Sequence, residues 1–183
     1  MGTRFTALEQ KHIKFIQDQK IYFIGTAAAD GRVNVSPKGM DSLRVLGPNR
    51  LVWLNLTGSG NETAAHLLEN PRMTVMFCAF EGPPLILRTY GTARNVRPGA
   101  ADWDDLAALF PPMAGARQIF DLSIDMVLSS CGMGVPVMRF QEGRGEKMLE
   151  PWCAQLGAEG VADYQRRKNA VSLDGKPTDI TRS

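Results

Sequence analysis

Histidine is scarce in this chain. Its 183 residues include two, His12 and His66, far apart and each within a helical pattern. That scarcity excludes an HExxH zinc site and leaves a Cys/His quartet without its imidazoles. It also weakens a Ser-His-Asp hydrolase, because no GxSxG occurs and His66 would have to act as base from a helix following the TGSGN loop. Cysteine is sparse as well: Cys78, Cys131 and Cys153 form no CxxC pair and read as reduced thiols of a cytoplasmic protein rather than a disulfide framework. No apolar run reaches the length that spans a bilayer, and MGTRFTALEQKH lacks the basic-then-apolar order of a secretory signal. Charge of one sign is missing too. The net charge is +2, with acids and bases interleaved, so no cationic stripe points to nucleic acid or an anionic membrane as partner. Any anion site has to be local.

What is present is enough apolar matter, 44% of the residues, for one sizeable core. Residues 1–168 are expected to form a single domain, with inserted helices near 100–120 and a C-terminal helical segment over 146–168. The tail 169–183 carries little to bury and is expected to fray. Thr6 to Glu9 has the form of a capping box before a helix over 7–18. IYFIGTAAA and Arg32 to Ser36 form a hairpin about Asp30-Gly31, and residues 42–46 and 50–56 a second one about Gly47-Pro48-Asn49. In the second hairpin Val52, Leu54 and Leu56 lie on one face, Trp53 and Asn55 on the other. A short helix over 62–69 follows, stopped by Asn70-Pro71, and then the strands MTVMFCAF and LILRTYGTARNV. AADWDDLAALF is helical, GARQIFDL allows a second short helix, IDMVLSSC returns to strand, and VMRF is a last short strand. Consecutive hairpins argue against a parallel doubly wound sheet and for an antiparallel barrel, closed or partly closed, of six or seven strands.

Two stretches carry chemistry. If 32–38 is extended, Val33 and Val35 face the core while Asn34, Ser36 and Lys38 line the opposite face, with Pro37 marking an edge. A hydroxyl and an ammonium then stand together, a fitting pair for a phosphate; by itself SPKG is more often an ordinary turn. In TGSGNETAAHL, Gly58 and Gly60 let backbone N–H groups converge, and Ser59 or Asn61 can cap the helix, with Glu62 at capping-box spacing from Ser59. The first helical turn presents unpaired donors that bind anions. Plain capping explains the same residues.

The succession of a strand with its DG turn, VNVSPKG, RLVWLNLTGSGNETAAHLLENPRMTVMF and LRTYGTARNV resembles the pyridoxamine 5'-phosphate oxidase-like flavoproteins, over roughly residues 7–140. The resemblance implies an antiparallel split β-barrel that holds FMN at a homodimer interface. It places Ser36 and Lys38 on the strand that supplies a basic residue to the phosphate. Asn55 matches the position along the ribityl chain and ring edge; Asn61 and Thr63, joined by Thr57, fall where relatives hold the phosphate. Arg88 lies on a strand passing the flavin, and Ser130, Cys131 and Gly132 lie in a loop that relatives bring near the ring. Cys131 suggests a redox thiol, but no resolving cysteine is near in sequence, and packing is the preferred reading. This chain departs from the family in carrying Asn-Glu-Thr where relatives have a serine, arginine and lysine run, which removes two positive charges and shifts neutralisation to Lys38 and the helix dipole. It also lacks the arginine-rich R-L-x-P ending, which argues against vitamin B6 phosphates as substrates.

The leading expectation is an FMN-dependent oxidoreductase acting on a small-molecule substrate, with no catalytic residue assigned. A reductase using the deazaflavin F420 is a near variant. A non-catalytic flavin or haem carrier dimer is the alternative of another class, with few axial histidines for haem, and a barrel without any cofactor is the third.

Overall fold

The computed structural model describes residues 2–180. In chain order they form β1 (Thr3–Phe5), α1 (Gln10–Asp18), β2 (Tyr22–Thr26), β3 (Asn34–Lys38), β4 (Leu43–Gly47), β5 (Arg50–Leu56), α2 (Glu62–Glu69), β6 (Arg72–Cys78), β7 (Ile86–Val96), α3 (Trp103–Ala107) and β8 (Ala116–Ser130). A single π-turn at Gly145–Leu149 then leads into α4 (Glu150–Lys168). All strand pairings are antiparallel. The sheet runs β3-β2-β6-β7-β8-β5-β4, with β1 added on β8. Its two end strands, β3 and β4, do not pair, so the sheet curls without closing. The result is an eight-stranded split barrel, one or two strands more than expected.

Alternation builds the core. β2 buries Tyr22, Ile24 and Thr26 and leaves Phe23 and Gly25 half-exposed. Its inward residues meet Val75, Phe77, Leu87, Phe120, Leu122 and Val127 from the neighbouring strands. Trp53 stacks on Phe120 with ring centroids 4.7 Å apart. β5 is buried on both faces, because Val52 and Leu54 turn to a second cluster with Val96, Leu106, Phe110 and Ile119 beneath α3. Each fully buried side chain of this size contributes about 1.5–3 kcal/mol. Where β7 crosses β8 the register shifts between Tyr90 and Gly91. A Cβ on Gly91 would lie 1.9 Å from the Ser123 carbonyl oxygen, so only glycine fits there.

The structure departs from the sequence reading at five places. α1 begins at Gln10 with Glu9, not Thr6, as its N-cap, and Glu9 pairs reciprocally with His12. Phe5 is drawn into β1, and the Leu8 N–H is taken by the Pro48 carbonyl. GARQIFDL is no helix. It opens the fifteen-residue β8, where lying between β5 and β7 buries both faces and erases the alternation that would have signalled a strand. VMRF forms no strand, and Val137 and Phe140 are 80% and 55% exposed. Val33 and Val35 point outward, 72% and 65% exposed, since β3 is an edge that turns Asn34, Ser36 and Lys38 toward the interior.

The fifth departure is the tail. Residues 169–180 are docked rather than frayed, with Asn169 and Thr178 fully buried; 181–183 lie outside the described residues. Polar anchors hold this segment, while its apolar Val171 and Leu173 stay exposed. Judging burial by apolar content alone therefore misses it.

Candidate functional site

A groove of about 610 Å³ opens at the split of the barrel. β3 forms one wall through Asn34, Ser36 and Lys38, and β5 the other through Trp53 and Asn55. The loop 58–60 and the start of α2 form the floor, and the tail closes one end with Val171, Ser172 and Leu173. The Lys38 ammonium spans the split, 5.3 Å from the centre of the Trp53 ring. Burial pushes it down to about 8, and the charge of Arg117 adds to the shift.

Arg117 was not foreseen. β5 and β8 pair in one register as far as Asn55 opposite Gln118, then shift so that Leu56 faces Ala116. Arg117 is the extra residue of that β-bulge, and a bulge re-aims a side chain. Arg117 is 5% exposed and lines the groove. It donates to the Gly60 carbonyl at 3.1 Å and to Asn169 Oδ1 at 2.7 Å, and its buried Nε has no partner. Burial pulls it to about 10, so it stays charged at neutral pH. Among the described residues no carboxylate forms an ion pair with Lys38 or Arg117. The groove thus holds one buried and one half-buried cation, and neither is tied into an ion pair with a carboxylate among the described residues.

The mouth of α2 adds neutral donors. Asn61 is the N-cap residue, yet its side chain makes no capping bond. Its Oδ1 instead accepts from Gln118 Nε2 at 2.7 Å, leaving the first-turn N–H groups without a side-chain acceptor. Glu62 does not close a box on Ser59; its carboxylate accepts the Leu173 N–H at 3.0 Å. Thr63 is buried at the groove and its hydroxyl accepts from Asn34 Nδ2 at 3.3 Å.

Of the residues singled out by sequence, the structure brings Ser36, Lys38, Asn55, Asn61 and Thr63 together. Thr57 is not among the residues that line the groove. Its hydroxyl donates to the Gly115 carbonyl and accepts from Gln165 Nε2, each at 2.8 Å, so it ties α4 to the sheet and does not line the groove. Arg88, Ser130, Cys131 and Gly132 also lie outside it. Arg88 donates to the Ser130 hydroxyl at 3.2 Å, Cys131 is exposed, and Gly132 is buried where a Cβ would come within 2.8 Å of the Leu85 backbone nitrogen. Neither histidine reaches the groove. His12 packs edge-on to Phe5, and His66 shares a 3.0 Å hydrogen bond with Thr26. Among the described residues no group of three or more metal-binding side chains occurs, and no helix is long and apolar enough to cross a membrane.

Comparison with known proteins agrees with this geometry at the level of family and fold. The family pattern described as Pyridoxamine 5'-phosphate oxidase matches residues 8–131. A pyridoxamine 5'-phosphate oxidase family protein of Aspergillus flavus, ustO, is 34% identical over 180 residues, covering 87% of this chain and 70% of that protein. Among solved structures, HupZ of Group A Streptococcus superposes with a TM-score of 0.51 at 19% identity, over 65% of this chain and 91% of the other. A candidate pyridoxamine 5'-phosphate oxidase from Lactobacillus delbrueckii gives 0.53 at 20% identity, over 67% and 94%. Those two likenesses speak for the fold, and the extent of the family match decides membership: this chain belongs to the pyridoxamine 5'-phosphate oxidase family.

Proposed function

We propose that the chain binds FMN in the groove and works as a homodimeric oxidoreductase on a small-molecule substrate. The observation that carries this reading is Arg117, a buried guanidinium with an orphaned N–H beside a desolvated ammonium and an uncapped helix mouth. Buried polar groups are rarely left unpaired, and two unmatched cations favour a dianion between them. The residues present fit a phosphate: Lys38 and Arg117 would carry its charge, and Ser36, Thr63 and the α2 mouth would add neutral hydrogen bonds. Trp53 and Asn55, next along β5, would contact the rest of the cofactor.

When bound, flavin supplies hydride transfer through its own ring chemistry. The chain's part is to hold and orient. The ionisable residues lining the groove are Lys38, Glu62, Arg117 and Lys168, and they form no acid–base dyad. With no histidine lining the groove, a haem reading finds no axial imidazole there.

The dimer is proposed from the outer face of the sheet. Phe23, Met76, Tyr90, Met126 and Leu128 are only half-covered there, beside the exposed Val35 on the edge strand. A second copy would cover this face, and Arg88 and the segment 130–132 would reach the cofactor from that neighbour. Nothing in the charge distribution calls for nucleic acid or membrane as partner.

The purified protein is expected to be yellow, to release a chromophore that chromatographs as FMN, and to rebind FMN after stripping. Bleaching by NADH or NADPH without oxygen, followed by reoxidation with candidate acceptors, is expected of an oxidoreductase; a flavin that stays inert to both would make it a carrier. A colourless protein that fails to quench FMN fluorescence would overturn the cofactor assignment.

A further inference from the structure

Residues 169–180 return from α4 across one end of the groove and are fastened on both sides of it. Asn169 accepts from Arg117 and donates to the Gly58 carbonyl at 2.9 Å. The Leu173 N–H donates to Glu62, and Asp174 pairs with the backbone N–H and guanidinium of Arg32. Lys176 bridges Asp30 at 2.6 Å and Glu69 at 2.8 Å. Within the segment, Ser172 N–H to the Lys176 carbonyl and the bridge between Val171 and Pro177 close a tight loop. The strap therefore stands as a wall at the end of the groove that holds Arg117 and the α2 mouth.

Resting on the flavin reading above, we infer that the strap makes this a site for a terminal phosphate monoester and excludes ligands whose chain continues beyond that phosphate. A monoester ends at the phosphorus and presents three free oxygens to Lys38, Arg117 and the helix mouth. A pyrophosphate or phosphodiester must continue, and the next atoms would meet Val171, Ser172 and Leu173. Passing them means pulling the strap off its anchors, Asn169 on Arg117 among them. A second phosphate would also face the Glu62 carboxylate, held at the wall by the Leu173 N–H, so charge repulsion adds to the steric block. FMN has the required ending; FAD and the deazaflavin F420, which carry their phosphates inside a longer chain, do not.

The test is a fluorescence titration of the stripped full-length protein with riboflavin, FMN, FAD and F420. It is repeated on Asp174→Asn/Lys176→Met, which loosens the strap, and on Val171→Gly, which thins the wall and leaves the anchors in place. Thermal unfolding reports whether each variant is folded. FMN is expected to bind at least about 100-fold more tightly than FAD or F420, the lower end of what breaking two hydrogen bonds to charged groups costs. In either folded variant the ratio is expected to shrink about tenfold or more while FMN affinity changes less. FAD or F420 binding within a few-fold of FMN in the wild type, or a ratio unchanged in both variants, would refute the role of the strap. Riboflavin binding as tightly as FMN would refute the phosphate site, and failure of every flavin to bind would remove the cofactor reading itself.

Discussion

Lys38 and Arg117 are the two residues on which binding turns, and each makes a checkable claim. Replacing Lys38 by Ala is expected to weaken FMN binding by about 1.5–3 kcal/mol, the loss of one charge-assisted hydrogen bond; unchanged affinity on titration would place the lysine outside the phosphate's reach. Arg117→Met is expected to cost at least as much, because Asn169 loses its donor as well. The depressed lysine also fixes a pH dependence. Without ligand it loses its proton near pH 8, and a bound phosphate would hold that proton to higher pH. FMN affinity should be level just below pH 8 and fall above it, by up to about tenfold per pH unit. Stability of the free protein runs the other way. The unfolded chain binds more protons than the folded one between about 8 and the ordinary lysine value near 10.4, so the Lys38 contribution rises with pH across that window. Lys38→Met should abolish both slopes.

At the scale of elements, the β7–β8 crossing and the strap behave differently under perturbation. Gly91→Ala forces a side chain against the Ser123 carbonyl in the centre of the sheet. It is expected to lower stability by about 1–3 kcal/mol, the usual cost of overpacking, read from the denaturant midpoint. The strap is held by surface ion pairs and should respond to acid. Backbone and side-chain donation from Arg32 hold the Asp174 carboxyl below its ordinary range, and Lys176 does the same for Glu69 and Asp30. Groups lowered in this way stabilise the docked strap above the ordinary carboxylate range, and that contribution disappears as pH falls through their folded values. Hydrogen exchange of the amides at 171–178 should therefore speed up, relative to those of β7, as the pH is lowered from the ordinary carboxylate range of about 4 and beyond; parallel behaviour of the two regions would show that the ion pairs do not hold the strap.

At the scale of the whole molecule, the open barrel and its outer face set the assembly. Val35→Asp puts a charge on the edge of the proposed interface without entering the core, since Val35 is 65% exposed. Sedimentation is expected to show a dimer for the wild type and a monomer or weakened dimer for the variant, with flavin affinity falling alongside if Arg88 and the segment 130–132 act across the interface. A wild-type monomer that retains flavin would refute the shared site.

The family resemblance supplied Asn55 and Thr63 of the groove; the sequence alone determined the hairpins, the short helix between the second hairpin and the next strands, and Ser36, Lys38 and Asn61. Those features are written in local periods and turns: Asp30-Gly31, Asn70-Pro71, and the alternation about Trp53 and Asn55. Val33 and Val35 show where such reading ends, because alternation tells that two faces differ and not which one is inside; only the place of β3 at the sheet edge decided that. Arg117 was hidden for a related reason. It lies in a segment whose pattern is helical, and a one-residue register shift against β5, a property of the pairing and not of the strand, turned it into the groove. The tail completes the contrast. Its apolar content predicts fraying, yet it is fastened by hydrogen bonds and ion pairs to residues more than a hundred positions away in sequence. Local chemistry thus specified the elements, and the tertiary structure alone decided which charges were left unpaired and what stands over them, because burial and pairing are properties of neighbours brought together by the fold.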